Sequence, residues 1–155
     1  MKHPNIERRA HGRLTFYALC LYAALWNTAA GDEPMLARLE VEVTGFESSQ
    51  GELAIALFDS AEGYANQTNA VRKAYLAIEN GKSRWVLDDL PVGEYALIAY
   101  HDLNGNREID MRFFGMPKES VGVSNDARGR FGPPKFDAAK FELLAPLTRH
   151  AFELR

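Results

Sequence analysis

Leu90–Tyr100 reads LPVGEYALIAY. Pro91 and Gly93 make a tight turn, because proline presets a turn-compatible φ and glycine accepts angles that other residues avoid. Beyond the turn, Tyr95, Leu97 and Ala99 fall on one face of an extended chain, and Ala96, Ile98 and Tyr100 on the other. Both faces are apolar. A short two-sided apolar run after a turn is a strand at the centre of a sheet, covered above and below.

The neighbouring stretches carry the same signal. LEVEVTGF (39–46) alternates Leu39, Val41 and Val43 with Glu40, Glu42 and Thr44, a strand with one wet face. SSQG (48–51) is a turn, and ELAIALFD (52–59) is a continuous apolar run, so the two strands are expected to form a hairpin. Residues 60–70 read as a loop with one helical turn. VRKAYLAIEN (71–80) fits a helix or a strand and is read as a strand, in keeping with its neighbours. NGK (80–82) signals a hairpin into SRWVLDDL (83–90), and KFELLAP (140–146) with LTRHAFELR (147–155) a closing hairpin. The expectation is an all-β fold, a single antiparallel β-sandwich of about seven strands with one long ordered loop.

The first thirty of the 155 residues stand apart. Lys2, Arg8, Arg9 and Arg13 precede an uncharged apolar run, Leu14–Trp26, and Thr28 and Ala30 are the small residues before a cut after Ala30. That is the pattern of a secretory signal peptide, and the run is short for a bilayer span. Cys20 lies inside the apolar run and follows Leu19, which argues against a lipid-modified cysteine. The expected mature domain is 31–155, periplasmic or secreted. It keeps 14 of the 18 Lys and Arg and 20 of the 21 Asp and Glu, a net charge of −6. Such a charge repels phosphate backbones, so nucleic acid is not an expected partner. Without its only cysteine the domain has no disulfide, thiolate nucleophile or cysteine-based metal site.

Between Asp102 and Lys135 lie more than thirty residues rich in Gly, Pro, Asn, Asp and Arg. Connections of that length in a compact domain are often functional. The segment opens with DLNGNREID, which places Asp102, Asn104, Asn106, Glu108 and Asp110 at positions 1, 3, 5, 7 and 9 of a calcium loop, with Ile109 at the core-anchoring position. Arg107 occupies the position that prefers glycine, and Phe113 the place of the bidentate Glu. Any calcium affinity is therefore expected in the roughly 10⁻⁴–10⁻³ M class. The competing reading, which the incomplete ligand set favours, is that Asp102, Asn104 and Asn106 cap a turn with their own side chains.

Three further groups bear on function. His101 beside Asp102 suits a general base or a metal ligand, but a pair holding the loop by hydrogen bonds is the simpler account. SNDARGRFGPP (124–134) offers Asn125, Arg128 and Arg130, with His101, as a ligand-binding set for a carboxylate, phosphate or sugar acid; the alternative pairs the arginines with Asp102, Asp110 or Asp126. Ser124 lacks a nucleophile elbow. Phe113, Phe114 and Met116 read as satellite core, or more sharply as a carbohydrate or apolar platform partnered by Tyr64 and Trp85.

VEVTGFESSQGELAIALFDS (41–60), DDLPVGEYALIAYHDLNGNREID (88–110), FFGMPKESVGVSNDARGRFGPPKFDAAKF (113–141) and LTRHAFEL (147–154) together resemble the domain-of-unknown-function 2141 family of exported bacterial proteins. LPVGEYAL also resembles the corner of transthyretin-like and carboxypeptidase-regulatory-like sandwiches. The resemblance implies the sandwich and supplies no activity. Arg107 departs from the family pattern, where glycine is usual. The reading is an exported, non-enzymatic module that binds an ion such as calcium, and a ligand or envelope protein, through residues 101–134. The alternatives are an envelope hydrolase using His101, Asp102 and Arg128, or a purely structural envelope protein.

Overall fold

A computed structural model describes residues 33–113, 116–130 and 132–155; the expected signal peptide lies outside them. Among the described residues no helix is long and apolar enough to cross a membrane.

The alternating first stretch forms strand β1, Leu36–Thr44, and buries Ala37, Leu39, Val41 and Val43. Strand β2, Glu52–Phe58, is covered on both faces, as its unbroken apolar run required. Helix α1, Ala61–Asn66, is one short turn capped by Ser60, whose Oγ accepts the Gly63 N–H. Strand β3 spans Arg72–Leu76, β4 Ser83–Pro91 and β5 Gly93–Asp102. After the long loop come β6 at Val121–Val123, a 3₁₀ turn at Ser124–Asp126, α2 at Phe136–Ala139, β7 at Phe141–Leu143 and β8 at Leu147–Glu153.

Two sheets result. One has the order β4-β1-β8 and the other β3-β2-β5-β6, with β7 pairing the start of β5. The all-β class holds, with eight strands among the described residues where about seven were expected. The additional one, β6, is three residues inside the long loop, too short to show a period.

The expected hairpins are not formed. β1 and β2 lie in different sheets, as do β3 and β4, and β7 and β8. NGK does turn tightly, with Glu79 and Lys82 exchanging backbone bonds at 2.8 and 3.1 Å, but no ladder propagates from it. Turn chemistry fixes a local reversal; it does not decide whether the next strand pairs beside its predecessor or crosses to the opposite sheet. Nor is the pairing wholly antiparallel: β1 and β8 run parallel over seven residue pairs, from Arg38–Leu147 to Thr44–Glu153.

Leu39, Val41, Leu53, Leu57, Leu97, Trp85 and Phe152 meet in the core between the sheets. The opposite face of the larger sheet has a cluster of its own. There Phe58, Tyr64, Ala96 and Ala139 pack beneath the two helices, with Tyr64 edge-on to Phe58 and Phe136, each at 5.8 Å.

Candidate functional site

β5 ends at His101 and Asp102, both without solvent exposure. The two-residue period of a strand sends them to opposite faces. His101 follows Tyr95, Leu97 and Ala99 to the core side, edge-on to Phe46 at 5.3 Å, with its Nε2 2.7 Å from the Gln50 carbonyl oxygen. Its Nδ1 is buried with no partner among the described residues. Asp102 follows Ala96, Ile98 and Tyr100 outward, into the loop. The two are therefore not a dyad.

The Asp102 carboxylate organises the loop. Oδ1 accepts the Gly105 N–H and Oδ2 the Arg107 N–H, both at 2.8 Å. Asn104 Oδ1 accepts the Asn106 N–H at 3.0 Å, and Asn106 Oδ1 the Glu108 N–H at 2.9 Å. Glu119, also buried, closes the loop across its base, where its two oxygens accept the N–H groups of Leu103 and Asp110, each at 3.2 Å. Four side chains thus hold six backbone amides between Leu103 and Asp110. These are the local caps that Asn and Asp make in turns. The amides of Asn104 and Asn106 then converge on the Asp110 carboxylate at 2.9 and 3.4 Å.

The loop is consequently built from the residues singled out at alternating positions, with one exception. Glu108 contributes its backbone N–H, and its side chain is exposed. Sequence reasoning does not find Glu119. It is one acid in a polar stretch, and nothing in its spacing announces that it clamps a loop beginning sixteen residues earlier. Gly105 and Arg107 adopt φ of 70° and 63°. Arg107 takes the left-handed conformation without being glycine; its guanidinium lies 4.6 Å from the centroid of the Tyr75 ring and 3.8 Å from the Glu52 carboxylate.

The second half of the long segment is a separate structure. Ser124 is fully buried; its Oγ accepts the Leu97 N–H at 2.9 Å and donates to the Ala139 carbonyl. Asn125, at φ 61°, donates its side-chain amide to the carbonyls of Ala139 and Lys140, and its N–H to Nε2 of His150 at 3.2 Å. Asp126 accepts the Glu153 N–H at 3.0 Å. The three residues pin this segment to α2, β5 and β8. Asn125 is therefore a fastener. Arg128 and Arg130 are exposed, border shallow surfaces that include none of residues 101–110, and make no ion pair among the described residues. Thus His101, Asn125, Arg128 and Arg130 are not brought together as one binding set, and the expected arginine partners Asp102 and Asp110 are engaged elsewhere.

Phe113 and Met116 are 92% and 60% exposed, so the expected satellite core does not form there; Phe114 lies outside the described residues. Arg112 and Lys118 donate backbone bonds to Met116 and Asp110 at 2.7 Å each. Tyr64 and Trp85 are committed to the two cores.

The family of uncharacterised proteins conserved in bacteria, domain of unknown function 2141, matches residues 41–150. The chain belongs to that family. The match runs from the middle of β1 into β8, and so includes the Asp/Asn loop, the Glu119 clamp and the Ser124–Asp126 fastener. No curated protein and no solved structure matches the chain.

Proposed function

We propose that this member of the family is an exported, non-enzymatic binding module, in which the Asp102–Asp110 loop is the rigid rim of the site and the seat of a calcium ion. The observation that carries the reading is the convergence of Asp102, Asn104, Asn106 and Asp110 on one turn whose backbone is already satisfied. A rim fixed in this way loses little conformational entropy when it binds. The Asp110 carboxylate and the free lone pairs of the Asn104 and Asn106 side-chain oxygens, which keep their backbone bonds, would supply ligands to a cation, with water completing the shell. The non-catalytic part rests on the separation of His101, Asp102 and Arg128, which leaves no nucleophile, base and orienting group within reach of one another.

Thermal melting with calcium, with chelator and with magnesium tests the ion. At ten times a millimolar Kd, mass action stabilises by about 1.4 kcal/mol, a rise in Tm of roughly 3–6 °C. The rise is expected with calcium, reversed by chelator, and absent from Asp110→Ala. An unchanged Tm at that concentration removes the ion from the proposal.

A further inference from the structure

The outer face of the larger sheet, beside the loop, is only partly roofed by the helices. The strand register aligns Tyr75, Ala54 and Tyr100 in one row across β3, β2 and β5, and Lys73, Ala56 and Ile98 in the next. The two tyrosines therefore stand two strand spacings apart, about 9.5 Å between backbones, over an alanine. A ring in van der Waals contact on both faces needs about 7–8 Å. The resulting groove has a volume of about 400 Å³, within the range of small-molecule sites.

The groove's chemistry is two-natured. Its floor is apolar, from Ala54, Ala56 and Ile98, while Gln67, Lys73, Arg107 and Glu108 reach it from the rim. Neither tyrosine hydroxyl has a hydrogen-bond partner among the described residues, and Lys73 makes no ion pair among them. Arg107 brings a second cation to the wall by lying over the Tyr75 ring. Arg107 shares its charge with Glu52 at 3.8 Å, so Lys73 is the groove's cation with no ion pair among the described residues.

From this arrangement we propose that the Tyr75–Tyr100 groove binds an acidic sugar, with a pyranose ring against the tyrosines over Ala54 and its carboxylate on Lys73 and Arg107. Sugar rings present apolar C–H faces and a polar edge on every side, which matches an apolar floor ringed by amide, phenol, carboxylate and cation. A flat aromatic acid has one polar end and would leave Gln67 and Glu108 against its apolar edge, at a desolvation cost. The inference rests on the reading of the chain as a binding module, and it names the ligand class.

Titration calorimetry of the full domain with a linear trigalacturonate, and with neutral maltotriose, tests it. The acidic trimer is expected to bind, and the neutral one at least tenfold more weakly. Lys73→Gln is expected to weaken the acidic trimer about tenfold, and Tyr100→Ala tenfold or more. Lys73 is exposed, so its variant tests the site even where Tyr100→Ala disturbs folding. No heat at about 10 mM trimer, equal binding of the neutral trimer, or a Kd unmoved by Lys73→Gln overturns the proposal. A calcium-dependent Tm without trimer binding would end the groove assignment and leave the module reading intact; trimer binding without a calcium effect would do the reverse for the ion.

Discussion

Single side chains here do the work that longer elements do elsewhere. Asp102, Glu119, Ser124 and Asn125 each tie two or more backbone groups that no helix or ladder would satisfy, and an unpaired buried group costs about 1–3 kcal/mol. His150 holds a single backbone group and adds a dependence on pH. Its ring stacks on Phe141 at 4.3 Å and its Nε2 accepts the Asn125 N–H. Burial holds its pKa below 6.5, against a smaller opposing pull from Asp126. The unfolded chain therefore binds the extra proton first, and stability falls as pH drops through about 6.5 toward the folded value. A Tm series between about pH 7.5 and 5, above most carboxylate titration, is expected to slope downward on acidification in the wild type and to flatten in His150→Phe. An unchanged slope would remove His150 from the account.

The elements meet at places where only backbone fits. Gly51 precedes β2 at φ 77°, and a Cβ there would stand 2.1 Å from the Asp102 carbonyl oxygen and 2.8 Å from Leu103 Cα. The connection between the sheets thus rests directly on the root of the Asp/Asn loop. Gly81 has a similar φ of 73° with nothing within 4 Å. The pair separates conformational strain from collision. Gly81→Ala is expected to cost about 1 kcal/mol, the strain alone, and Gly51→Ala roughly 2–4 kcal/mol by urea denaturation. Equal losses would show that the Gly51 contact relaxes freely. At this scale the strands were readable because alternation and unbroken apolar runs are local properties. β6 and the Glu119 clamp were not readable, since three residues show no period and a lone acid has no pattern.

Across the whole molecule the chain repeatedly crosses between the sheets, and its last strand, β8, lies parallel to its first, β1. β8 supplies Phe152 to the core, Leu154 follows it there, and Arg155 exchanges backbone bonds with Val121 at 3.0 Å. Burial of two such side chains is worth about 3–6 kcal/mol before any ladder is counted, against a total stability of about 5–15 kcal/mol for a domain. A chain ending at Pro146 is accordingly expected to show no cooperative thermal transition by circular dichroism, and a sharp transition would contradict the role given to β8.

The amino-acid sequence determined the all-β class, the two-sided character of β5, the turns and the Asp and Asn side chains that cap the loop from within, because each depends on residues close together along the chain. Tertiary structure alone decided which strands share a sheet, that His101 and the arginines stand apart from the loop, that Phe113 is exposed, and that Tyr75 and Tyr100 face one another across Ala54. Those are matters of register between distant segments, and register is set by the burial of a common core, which no local stretch encodes.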